Sequence, residues 1–247
     1  MKLIEIFQHL ATGELSQLSI GGGTSGEINE KNHDRIVAHL NLGLTALYTR
    51  FLLKERKVRV SLQADRLVYP LVRKYAVSNT ESTEPVKFLW DSLSDPFLDD
   101  VLKIEQVYTA YGIEMPLNAR TRYSLTTPAM NRLAFPKEIV EFSPELPEEL
   151  KTTWVMVNYR ACHPIIDTMA ATFDPETYEV ELPYSHLMAL LYFVASRLHN
   201  PIGMINEFHS GNSYAAKYEA ECQRLELANI RIDPIDQESK LERNGWA

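Results

Sequence analysis

The chain opens with apolar residues at helical spacing. Leu3, Ile6, Phe7 and Leu10 fall at i, i+3, i+4 and i+7, the stripe of a short amphipathic helix over residues 2–11. A longer helix follows the segment GELSQLSIGGGTSGEINEK, with Ile36, Leu40, Leu44, Leu47, Tyr48 and Phe51 on one face and an end near Lys54. There the period changes to two. In KVRVSL, Val58, Val60 and Leu62 alternate with Lys57, Arg59 and Ser61, and VLKIEQVY (101–108), TTWVMVNY (152–159) and TYEVEL (177–182) share this strand character. Pro128, Pro136, Pro144 and Pro147 punctuate the ground between, which favours meandering strands and loops over helix.

Helical spacing returns after Pro183, a residue suited to a first helical turn. Leu187, Leu190, Leu191, Val194 and Leu198 form one stripe, which Asn200-Pro201 stops. The last predicted helix starts around Ser210 to Ser213. Its seam is narrow, Tyr214, Tyr218, Cys222 and Leu225, with Ala215, Ala216 and Ala220 allowing close approach of a neighbour. Beyond Ile230, RIDPIDQESKLERNGWA is polar and Pro-broken and reads as an extended arm. The order helices, strands, helices predicts an α+β fold. Each terminal helical pair can bury only one stripe, so residues 1–59 and 183–230 are expected to pack as one helical bundle. That bundle would carry an inserted antiparallel β domain over 60–182, with the arm at 231–247.

Composition adds boundaries to this picture. With 247 residues, 45% of them hydrophobic, there is ample material for a core. The apolar run Leu187–Ala195 is far shorter than the roughly 20 residues of a membrane span, and Glu5 and Gln8 interrupt the start where a signal peptide would be apolar. A cytosolic, unprocessed chain is the expectation. Cys162 and Cys222 are too few for a disulfide framework and read as free buried thiols. The net charge of -8 argues against a broad grip on nucleic acid phosphates, while leaving room for DNA to pass an acidic wall without sticking.

Candidate chemistry is sparse. Gly21, Gly23 and Gly26 satisfy G-x-G-x-x-G, yet little strand character precedes them and no run of βαβ units follows. Glu27 stands where a phosphate loop has Lys, so an interhelical loop is the preferred reading. Cys162-His163 resembles a nucleophile with its base, but adjacent residues on an extended strand point to opposite faces. His186, His199 and His209 surround the C-terminal hairpin without metal-ligand spacing, and DSLSDPFLDD (91–100) lacks the order of a calcium loop. The basic stretch TRFLLKERKVR carries no interleaved stacking aromatics. These residues name no catalytic group, cofactor or metal. In the arm, Ile232, Ile235, Leu241 and Trp246 are too few to fold alone and would suit docking into a partner, unless Trp246 folds back on its own bundle.

Four stretches, NLGLTALYTRFLLKERKVRV, VLKIEQVYTAYGIEMPLN, LPYSHLMALLYFVASRLHNPI and GNSYAAKYEAECQRLE, together resemble head-to-tail adaptor (connector) proteins of tailed bacteriophages, the group that includes tail tubular protein A of short-tailed phages. The likeness extends through about residue 229. It implies a virion structural protein without catalytic residues or cofactor, made in the host cytoplasm and built into the head-tail junction. It further implies a dodecameric ring below the portal protein that extends the DNA channel towards tail tube or nozzle proteins, with no specific DNA binding and no membrane. Another phage structural role (head completion, tail terminator or decoration) is the nearest alternative. A nucleotide-dependent enzyme using GGGTSGE is a more distant one.

Overall fold

The computed structural model describes residues 1–16, 28–171, 173–199 and 205–228. In chain order its elements are α1 (Leu3–Thr12), α2 (His33–Arg50), β1 (Glu55–Ser61), β2 (Val68–Pro70), β3 (Leu89–Trp90), β4 (Val101–Thr109), β5 (Thr126–Ala129), β6 (Arg132–Ala134), the one-turn α3 (Lys137–Val140), β7 (Trp154–Ala161), α4 (Leu187–Leu198) and α5 (Ile205–Leu227). The protein is α+β, and its sheets are antiparallel. Among the described residues no helix is long and apolar enough to cross a membrane. The chain divides into two compact units. One combines Met1–Leu53 with His163–Ile232; the other is formed mainly by Lys54–Cys162.

In the helical unit the predicted stripes are the buried ones. Leu3, Ile6, Phe7 and Leu10 of α1 and Ile36, Leu40, Leu44, Leu47 and Tyr48 of α2 are all withdrawn from solvent. The apolar helix α4 buries Leu187, Ala189, Leu190, Leu191, Val194, Ala195 and Leu198 as it packs on α1, α2 and α5. Each large side chain so buried contributes roughly 1.5–3 kcal/mol from transfer alone. The α5 seam lies as its spacing predicts: Cys222 and Leu225 are fully buried, Tyr218 meets Phe193 edge-on at 5.3 Å, and Tyr214 faces Tyr192. Ala215, Ala216 and Ala220 are exposed on the opposite side. Arg50, at the end of α2, clasps α5 through Glu219 and Glu226, both at 2.7 Å.

The β unit contains two sheets, ordered β3-β1-β7-β4 and β2-β6-β5. Seven consecutive residue pairs, from Glu55 opposite Arg160 to Ser61 opposite Trp154, join β1 to β7. One face of the larger sheet supplies Val58, Val60, Ile104, Val107, Val155, Val157 and Tyr159 to a core that also takes in Tyr69, Phe88, Phe97, Leu133 and Phe135. Tyr69 sits edge-on between Phe88 and Phe135, at 5.2 and 5.3 Å. Pro128 lies in β5, at the edge of the smaller sheet where the register slips, the place in a sheet that tolerates a missing N–H.

Three expectations need correction. TYEVEL is not a strand: Glu179 makes one isolated bridge to Lys2, and the Val180 N–H donates to the Met1 carbonyl. Its alternation is real burial, with Val180 and Leu182 withdrawn from solvent, but among the described residues no strand pairs with it. The unit boundaries consequently fall at 53/54 and 162/163 instead of 59/60 and 182/183, because β1 already pairs from Glu55 and His163 onward belongs to the helical unit. Finally, α5 starts at Ile205, ahead of Ser210. Its Gly211 is a buried helical residue at a cost of about 1 kcal/mol in propensity.

Gly43 marks the closest approach of α2 to α4, since a Cβ there would stand 2.7 Å from Leu190 Cδ1 and 3.0 Å from Phe193 Cδ1. Gly43→Ala gains about 1 kcal/mol of helix propensity and incurs overpacking of about 1–3 kcal/mol. A net loss of about 1 kcal/mol in urea denaturation is expected. A more stable variant would show that the two helices can move apart freely.

Candidate functional site

The face of the larger sheet turned away from the core carries a cluster assembled across three strands. Arg59 pairs with Trp90 on one side and Met156 on the other, while Trp154 lies diagonally opposite, across from Ser61. The Arg59 guanidinium carbon is 5.2 Å from the Trp90 ring centroid and 4.5 Å from that of Trp154, so the cation sits between two aromatic faces. Trp90 is 51% exposed. The buried Nε of Arg59 has no acceptor, and no hydrogen bond or ion pair from its guanidinium is formed among the described residues. The guanidinium, a rigid fork of N–H donors, is thus held in place with no acceptor among the described residues.

Arg56, three residues earlier on β1 and on the other face of the sheet, behaves oppositely. It bonds Asp100 at 3.1 Å, the Pro96 carbonyl at 2.9 Å and Asp95. The Tyr159 hydroxyl donates to Asp100, and burial followed by the Asp100 charge pushes that phenol above its usual range. Asp91 accepts N–H groups from Ser78 and Phe97 and the Ser78 hydroxyl; burial would raise its pKa, but these bonds together hold it low. The acidic run 91–100 is thereby consumed in fixing its own loop. A cleft of about 250 Å³ lies between these groups and Trp90.

A second exposed feature lies in the helical unit. The Asn41 amide grips the Ile166 backbone twice, donating to its carbonyl at 3.0 Å and accepting its N–H at 2.9 Å. Ile166 is buried, whereas Ile165 is 82% and Met169 88% exposed. Between them Asp167 is exposed, and its Oδ1 accepts the Met169 N–H at 2.9 Å. A loop fixed to a helix in this way presents two large apolar side chains and a carboxylate at little entropic cost.

The residues singled out in the sequence fare differently. Gly21, Gly23, Gly26 and Glu27, and the arm residues Ile232, Ile235, Leu241 and Trp246, lie outside the described residues. The His163 ring is engaged at both nitrogens: Nε2 accepts the Glu181 N–H at 3.2 Å and Nδ1 faces the Pro164 carbonyl. His199 bonds the Glu14 carbonyl at 2.8 Å and stacks on Tyr214. Among the described residues no group of three or more His, Cys, Asp or Glu is placed to hold a metal ion. The Trp90–Arg59–Trp154 cluster escaped notice because its members come from three separate strands. The alternation in KVRVSL was the available signal, since it set Arg59 on the face opposite the valines.

No protein-family model matches the chain, and a comparison with curated proteins gives no match.

Two outcomes follow from the charged groups. Arg56→Met leaves the Asp100 carboxylate, only 7% exposed, without its cation, and should cost about 3 kcal/mol. Arg59→Gln gives up its stacking on two tryptophans but no ion pair, and should cost about 1 kcal/mol, clearly less than Arg56→Met. Equal losses in urea denaturation would place Arg59 in the fold. His186 is buried against Phe51, and burial, opposed in part by Glu221, holds its imidazole below the model-compound 6.5; burial and then Arg35 and Arg197 do the same for His39. The unfolded chain therefore takes up protons first as pH falls. Stability should be full above pH 6.5 and decline below it, and His186→Gln should flatten that decline in melts at a series of pH values.

Proposed function

We propose that the chain is a head-to-tail adaptor, a virion structural protein whose copies form a ring below the portal. In this reading the helical unit is a bundle that carries the β unit as an insertion. The ring extends the DNA channel and provides the platform to which tail tube or nozzle proteins attach. The observation that carries the reading is the discontinuous helical unit: segments on both sides of Lys54–Cys162 combine in it, and the intervening segment forms a β unit with a core of its own. That layout agrees with the resemblance read from the four sequence stretches. The charge of -8 supports a channel wall that DNA passes without sticking, since fixed cations would hold phosphates in a salt-dependent manner.

The reading assigns no catalytic residue and no cofactor to the chain. It gives the helices a mechanical role. The α4–α5 hairpin, sealed by Tyr214, Tyr218, Cys222 and Leu225, leaves an outer α5 face of Ala215, Ala216, Ala220 and charged residues for neighbours. The arm beyond Ile230 would dock on the portal through Ile232, Ile235, Leu241 and Trp246.

The test is assembly. Mixed with its portal, the chain should co-purify and add a ring at one end in negative-stain images. Truncation after Asn229 should leave the circular dichroism spectrum folded and weaken attachment. Binding to assembled capsid shells in place of the portal would make the protein a decoration protein. A thermal shift with nucleotides, about 2.7 kcal/mol at a hundredfold excess over the dissociation constant, would make it a nucleotide-binding one.

A further inference from the structure

Formal charge is divided unevenly along the chain. Residues 54–162 hold fifteen Lys/Arg against fifteen Asp/Glu, so the net charge of -8 comes wholly from the rest: eight against fourteen in 1–53 and 163–232, and two against four in 233–247. Residues 54–162 are neutral in sum yet display an arginine with no anionic partner among the described residues, stacked between two tryptophans. The helical unit is acidic and displays Asp167 between Ile165 and Met169 on a loop clamped by Asn41. One surface runs aromatic, cation, aromatic; the other runs apolar, anion, apolar.

We propose that these two surfaces bind each other between copies of this chain, Asp167 of one copy accepting from Arg59 of the next while Ile165 and Met169 cover Trp90 and Trp154. The occupant is a second copy because the chain itself supplies the complementary charge, flanked on both surfaces by exposed apolar side chains. Each surface is ordered before contact, the arginine by its stacking and the loop by the double hydrogen bond to Asn41, so little ordering entropy is lost on association. Tryptophan and arginine are also the residues in which interface energy concentrates. The contact joins two different patches, so it is heterologous. Repeated from copy to copy it closes a ring when the rotation permits, and otherwise gives an open filament. The inference rests on the ring reading and names the contact that would build it.

A charge swap tests the pairing. Sedimentation velocity of the full chain over a concentration series should show self-association, and Asp167→Arg or Arg59→Asp alone should weaken it at least about tenfold. Combined in one chain, the two substitutions should restore association to within a few-fold of the parent, the signature of a direct pair. Trp90→Ala should weaken association without altering the circular dichroism spectrum, and Asp167, being exposed, can be changed without loss of fold. Losses that add in the double variant, or single variants that associate like the parent, overturn the contact while leaving the ring intact. A parent chain that stays a single copy at every concentration overturns the contact and counts against the ring. Arg59-dependent quenching of tryptophan fluorescence by a single-stranded oligonucleotide, with no self-association, would reassign the cluster to nucleic acid.

Discussion

The pairing of β1 with β7 is the constraint from which the rest of the architecture follows. Its seven residue pairs bring together segments separated by nearly the whole β unit, and the Ala161 N–H donates to the Lys54 carbonyl at its end. Closing so long a loop has an entropic cost, and it is met by valines at 58, 60, 155 and 157 that fill the core as they pair. Because the two ends of the β unit thereby lie side by side, the segments before Lys54 and after Cys162 emerge together. The helices of one flank can then find those of the other. A helical unit assembled from two distant stretches requires this closure.

Within that frame the polar groups divide by whether the fold has used them. Arg56, Asp91, Asp95 and Asp100 satisfy one another and the loop backbone, an arrangement that fixes a fold and leaves little for a ligand. Arg59, from the same strand, is held by aromatic faces and has no hydrogen-bond acceptor among the described residues. The difference arises from strand parity: Arg56 falls on the valine side, where Asp100 and Tyr159 meet it, and Arg59 on the other. Among the described residues the fold uses the first arginine and leaves the second to its aromatic neighbours.

The helices were legible because burial on one face leaves a 3.6-residue rhythm, and all four long ones appear where Leu, Ile and Tyr repeat. Strands β1, β4 and β7 were readable for the same reason at period two. The short strands β2, β3, β5 and β6 were not, since two to four residues cannot display a period. TYEVEL alternates yet makes only one isolated bridge and no ladder among the described residues, showing that alternation reports burial and that only sustained pairing makes a strand. Candidate surfaces were least legible of all. Arg59, Trp90 and Trp154 become neighbours through register alone, and Asn41 meets Ile166 only once the helical unit has closed.

In the adaptor account the β unit and the helical unit are two ends of one repeating contact, and the chain's function is to be one member of a closed set. Native mass spectrometry of the chain assembled on its portal tests this most directly. The account predicts a single dominant closed stoichiometry of adaptor copies, dodecameric as the resemblance implies. A ladder of copy numbers, or no retained copies at all, would contradict it.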